Sequence, residues 1–293
     1  MAVDLLISQL PAIVIDGIVF GLQLSLISVG IVMIFGLGRI LNLSHGEFAV
    51  LSGIVTALLL HTVGIVPAII IGIIASTLLG AILYKVVLFY TFKLHGEHRT
   101  LIGFFVTLGL ALLLHGYLTN QFTGTILIIR PPITTVSISG YTFRLSSILS
   151  GVISTLLLIG LASFLKRTKV GKAIRAVSQN EVGAIISGIP VSKILLIVFV
   201  IGAALAGSSG IIRGLYTNLE PHQGIELTIL ALLVAVVGGV RSVFGTMIAG
   251  IILGIVYIVV NFLIGTYISF VVLLISAAVT ILIKPQGLLG DRD

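Results

Sequence analysis

The residues best equipped for chemistry in this chain sit together at Asn42-Leu43-Ser44-His45-Gly46-Glu47, at the head of an otherwise apolar run. An imidazole and a carboxylate two positions apart on a helix project about 160° from each other, so His45 and Glu47 are not a ready-made acid–base pair. Two roles fit the cluster. An ionisable group inside an apolar segment is expensive to bury unless it lines a watery path or finds a partner, which marks Asn42, Ser44, His45 and Glu47 as a candidate substrate path or gate. The same residues suit a helix entrance, with Asn42 or Ser44 as the cap and Glu47 in the first turn, at the positive end of the helix dipole. Other chemistry lacks its residues. The six histidines, at 45, 61, 95, 98, 115 and 222, show no ligand spacing such as HExxH, and there is no cysteine, so no metal site is expected. The phosphate-cradling pattern GxxxxGKS/T is missing as well, and the chain reads as non-enzymatic.

A second landmark is basic. Six of the sixteen Lys and Arg residues, Lys166, Arg167, Lys169, Lys172, Arg175 and Lys193, fall within 166–193. A charge centred in hydrocarbon costs about 3 kcal/mol or more, so this segment must protrude from a membrane. Its apolar positions Val170, Ile174 and Val177, then Val182, Ile185 and Ile186, recur at helical spacing, and Asn180 is placed to cap the second piece. A short amphipathic element outside the bilayer reads as a docking site for a partner.

The elements that position these residues are apolar. Hydrophobic residues make up 58% of the chain and charged residues 9%, where a soluble domain carries about 25% charged. Mean hydropathy is +1.31. Nine apolar runs lie at roughly 11–36, 43–60, 65–92, 101–118, 147–165, 194–215, 225–240, 243–263 and 267–283. The runs at 43–60 and 225–240 are polar at one end or short, and either fits a broken or re-entrant segment. The fold expected is an all-α polytopic membrane bundle of eight to nine spans, one transmembrane domain over 1–293 with a cytoplasmic segment at 166–193. Outside it, Pro131-Pro132 stop a helix, and alternation of Val136, Ile138, Tyr141 and Phe143 about Ser139-Gly140 predicts a short external hairpin.

Charge sets the orientation. With 166–193 in the cytoplasm and the spans alternating, thirteen of the sixteen Lys and Arg lie at inner ends, leaving Arg130, Arg144 and Arg213 outside. The N-terminus is then outside the cell membrane and the C-terminus in the cytoplasm. The net charge of +7 follows from these basic loops, and no nucleic-acid motif accompanies it.

Packing signals run through the spans. Gly202, Ala206, Gly210 and Gly214 form a small-residue ladder along the sixth run, and Gly17/Gly21 and Gly250/Gly254 make GxxxG pairs, which let helix backbones approach closely in lipid. GLGR at 36–39 and GGVR at 238–241, each followed by a Gly-containing apolar run, are a faint internal echo of the kind left by an inverted repeat. Asp16, Gln23 and Asn261 are isolated polar residues that suit either a watery path or a bond to a neighbouring helix.

The residues alone leave an ion-coupled secondary carrier open, with His45 and Glu47 relaying protons. The order of GLGRILNLSHGEF, the ISGYTF segment, GKAIRAVSQNEVGAIISGI with FVIGAALAGSSGII, and KPQGLLG resembles the permeases of branched-chain amino-acid ABC importers over nearly the whole length. The resemblance implies a second related permease, two cytoplasmic ATPase subunits that carry ATP and magnesium, an extracytoplasmic substrate-binding protein and surrounding membrane lipid. It implies no cofactor on this chain. Gly171 to Ile189 becomes the ATPase coupling region, with Gly171, Lys172, Ile174, Arg175, Val177, Glu181, Ile185 and Gly188 as its residues. Ile174, Val177 and Ile185 are its expected anchors, and Lys172 and Arg175 its steering rim. It departs from the stricter loop of other importers, since Glu181 is followed by Val182-Gly183 and Gly188 comes one residue late. The same architecture serves urea and amide importers.

Overall fold

The computed structural model describes residues 2–92, 94, 96–124, 129, 135–138 and 141–289. Its helices in chain order are α1 (Ala2–Gly38), α2 (His45–Val63), α3 (Ile65–Leu83), which continues through a π-helical turn (Tyr84–Leu88) into α4 (Phe89–Thr91), and α5 (Glu97–Gln121). There follow α6 (Leu145–Arg167), α7 (Lys169–Gln179), α8 (Glu181–Ile186), α9 (Val191–Tyr216), α10 (Gly224–Gly238), α11 (Val243–Leu263) and α12 (Thr266–Ile283). Among the described residues nine helical stretches are long and apolar enough to cross a membrane, and they coincide with the nine runs in the sequence. The expected hairpin is present: β1 (Thr135–Ile138) pairs antiparallel with β2 (Tyr141–Arg144), Val136 opposite Phe143. Its tip at Ser139-Gly140 and the Pro131-Pro132 stop lie outside the described residues.

The centre of the bundle is α1. In its most apolar stretch 89% of residues are buried, against 22% in α3 and α5 and 17% in α12, so those three form the rim. Its partner along most of its length is α11, which runs antiparallel to it. Gly21 lies against the Gly250 carbonyl and Ile251 backbone, and Gly254 against the backbones of Gly21 and Gly17. The two GxxxG pairs of the sequence therefore face each other, with no side chain between them.

Two helices begin inside the bundle rather than at its end. Gly30 of α1 packs on the His45 ring and precedes the end of α1 at Gly38 by eight residues, a rise of about 12 Å. Residues 39–44 thus turn back into the protein before α2 starts. Ser25 Oγ, about 20 Å above the end of α1, donates to the Met247 carbonyl at 3.0 Å, although Met247 lies only in the second turn of α11. α11 also starts partway up. The echoing sequences GLGR and GGVR occupy these two re-entrant turns. In both, the residue after the helix takes a left-handed conformation, Arg39 at φ 54° and Gly239 at φ 106°.

Candidate functional site

At the head of α2, Asn42 is 1% exposed and Ser44, His45 and Glu47 are fully buried. The Asn42 Oδ1 accepts from the Ser44 amide at 3.2 Å and hydroxyl at 2.7 Å, a local turn that aims the chain into the helix. Ser44 holds the N-cap position, yet its side chain makes no cap bond. The cap comes from another helix. Thr228 of α10 accepts the Gly46 amide at 2.9 Å through its hydroxyl, which also lies within hydrogen-bond reach of the Gly224 and Leu43 carbonyls. Gly46 and Gly224 are the close approach that makes this possible, because a Cβ on Gly46 would enter the Gly224 carbonyl and one on Gly224 would enter the Glu47 carboxylate.

The Glu47 Oε1 meets His115 Nδ1 of α5 at 3.1 Å, while Oε2 has no hydrogen-bond partner. His115 is partly open, its side chain 26% exposed, so one face of the pair is sealed and the other is not. His45 points away from Glu47, as the helical angle requires. Neither of its ring nitrogens has a partner of ordinary geometry, although the Ile27 carbonyl faces the ring. The sequence reading found Asn42, Ser44, His45 and Glu47 but not His115 or Thr228. A single polar residue in a span shows that it needs a partner without showing which span supplies it. Of the isolated polar residues, Asp16 accepts from Ser147 at 2.8 Å, Gln23 bonds Ser209 at 2.8 Å and Tyr216 at 3.1 Å, and Asn261 accepts from Thr266 at 2.9 Å. Each ties its helix to another.

The ladder of α9 packs within this chain. Gly202 meets Ile34 and the Gly30 carbonyl of α1, Gly210 lies on the Ala49 backbone of α2, Gly214 meets Ile129, and Ala206 is fully buried.

At the end of the bundle where α1 stops, Thr168 caps α7 through the Gly171 amide at 2.9 Å and Asn180 caps α8 through the Gly183 amide at 2.9 Å. α8 ends in a Schellman turn: Gly188, at φ 76°, donates to the Ile185 carbonyl and Ile189 to that of Ala184. The expected anchors divide. Ile174 and Val177 are 4% and 3% exposed and join the core of α1, α6 and α9, whereas Val182, Ile185 and Ile186 of α8 are 65%, 57% and 81% exposed. This corrects the reading of Ile174 and Val177 as anchors for a partner. α7 lies along the bundle and needs its own apolar stripe to stay there. Arg175 is also more than a rim charge, because its guanidinium donates to the Leu165 carbonyl near the C-terminus of α6. Lys172 remains exposed. Glu181 takes a two-pronged bond from Arg99 of α5, at 2.9 and 3.3 Å, while Arg99 also donates to the Leu94 and Phe92 carbonyls. The segment is thereby fastened to α5 as well as to α6 and α9.

Nine membrane-length helices among the described residues, packed around an ionisable node with a fastened basic helix pair at one end, define a multi-pass membrane protein. The family described as branched-chain amino acid transport system / permease component matches residues 13–283, and the chain belongs to it. It is 25% identical to the high-affinity branched-chain amino acid transport system permease protein LivH of Escherichia coli K12, over 95% of this chain and 94% of that protein. It is 27% identical to the corresponding permease BraD of Pseudomonas aeruginosa, over 95% of each. The probable branched-chain amino acid transport permease LivH of Methanocaldococcus jannaschii is 27% identical, over 93% of this chain and 90% of its own. Family membership supports a transport subunit of a multi-component system over a self-sufficient ion-coupled carrier.

Proposed function

We propose that the chain is a membrane permease subunit of an ATP-driven importer of branched-chain amino acids. In this reading it pairs with a second related permease, receives solute from an extracytoplasmic binding protein, and is driven by two cytoplasmic ATPases that hold ATP and magnesium. Its N-terminus lies outside the cell and its C-terminus inside. One observation carries the coupling role: a basic helix pair is tied to α5, α6 and α9 on one side and offers Val182, Ile185 and Ile186 on the other. A helix laid in a groove of a partner takes its affinity from such apolar anchors.

The test is uptake of labelled leucine, isoleucine and valine by the complete complex in proteoliposomes, with ATP hydrolysis followed in parallel. ATP-dependent uptake of at least one supports the reading. Transport by the chain alone without ATP overturns it, and uptake of urea or a short amide in place of all three reassigns the substrate.

A further inference from the structure

α5 sits on the rim of the bundle, with 22% of its most apolar stretch buried. Close packing does not fix its height, since a Cβ on Gly109 or Gly116 meets nothing within 4 Å among the described residues. What ties it down is a series of contacts along one i+4 ridge. Arg99, near its start, donates twice to the Glu181 carboxylate of α8, at 2.9 and 3.3 Å. Gly103 lies against the Ile40 side chain, and Thr107 donates to the Leu41 carbonyl at 2.8 Å, both in the re-entrant turn that leads into α2. His115 then meets Glu47. α5 is unbroken helix between them, so Arg99 and His115 are separated by a fixed rise of about 24 Å.

The lower end of this ridge is firmly held. The Arg99 side chain is 8% exposed and donates as well to the Phe92 and Leu94 carbonyls, so its guanidinium is built into the entry of α5. On α8 only Ala184 is buried, and Glu181 reaches Arg99 from a helix that otherwise faces outward. A two-pronged bond between ionised groups holds distance and angle together, where a single contact would let the helices turn on each other. A displacement of α8 is handed through this bond to α5, and a rigid helix carries it to His115.

We infer that Arg99 and Glu181 are positioning residues for the Glu47–His115 contact: by holding α5 at its height, they let the place of α8 set how the ionisable node is closed. That a partner moves α8 rests on the function proposed above, while the link from Glu181 to the node does not.

Hydrogen exchange is followed by mass spectrometry on the full chain in lipid nanodiscs, in peptides covering 40–48. Glu181→Ala should raise exchange there about fivefold, with the unfolding temperature unchanged. Glu181→Gln keeps an acceptor for Arg99 and should hold the rise below about twofold. Glu97→Ala takes a carboxylate from an exposed position at the same end of α5 and should also stay below about twofold. In an Arg99→Gln background Glu181→Ala should add nothing, the signature of two residues acting through one bond. If Arg99→Gln unfolds, the contrast between Glu181→Ala and Glu181→Gln decides. Loosening confined to 96–99 and 181–186 overturns the inference, and so does an additive double variant. Because the readout needs no ATPase subunit, absence of ATP-driven uptake by the complete complex would count against the importer reading and leave the link standing.

Discussion

Glu47 is a carboxylate with one oxygen on His115, the other unpaired, and the Gly224 backbone pressed against it. Glu47→Gln keeps the shape and removes the charge, so the complex should assemble while uptake falls at least about tenfold if the pair lies on the path. Assembled complex with unchanged uptake would reduce Glu47 to a structural residue. His115→Ala acts differently, because it leaves the first oxygen without its partner at a cost of about 1–3 kcal/mol, measurable by thermal unfolding in detergent. Gly210 and Gly109 form a matched pair for packing. A Cβ on Gly210 enters the Ala49 backbone, which cannot rotate aside, and one on Gly109 meets nothing within 4 Å. Gly210→Leu should therefore cost about 3 kcal/mol or more, whereas Gly109→Ala should gain about 0.5 kcal/mol from helix propensity. The sequence marked Gly210 as part of a small ladder. It did not mark which helix lay against it, because a missing side chain carries no imprint of its neighbour.

Along α7 and α8 the apolar spacing was legible and its direction was not. Ile174 and Ile185 recur on the same helical pattern, but the turn at Asn180 rotates one into the core and the other out. Their substitutions should fail in different ways. Ile174→Asp buries a charge in the core and should lower the stability of the isolated chain by several kcal/mol. If the proposed ATPase subunits dock on α8, Ile185→Asp should leave the chain folded and release them, or uncouple hydrolysis from uptake, while Lys172→Ala should be mild. Co-purification with the ATPases separates the three, and full import by Ile185→Asp would place docking elsewhere. The cap at Asn180 could be read from residue type alone, since its oxygen suits a free helix amide. Arg99 could not, because its bond to Glu181 spans 82 residues.

At the scale of the molecule the nine runs were legible because lipid imposes length and apolarity on every span, a constraint that leaves its mark in composition. Re-entry was harder to read. It was expected at 43–60 and 225–240 from a polar head and a short run; the first matches the buried start of α2, whereas the other helix that starts partway up is α11, and the depth of both depends on contacts with α1 that no local pattern encodes. Sidedness is open to direct measurement because the chain has no cysteine to remove. Lys172→Cys should resist a membrane-impermeant maleimide in intact cells and react after permeabilisation, whereas Arg144→Cys should react in both. The opposite pattern would invert the orientation. The interlocked glycines of α1 and α11 have a mechanical consequence. Two notched bars seated in each other's notches cannot slide, since a step along the axis would drive Ile251 or Ile255 into the opposite backbone. The pair behaves as one strut. A push delivered through α7 to the foot of α1 should arrive at the far end of α11 undiminished, and spin labels at the outer ends of these two helices should hold a fixed separation while the rim helices move around them.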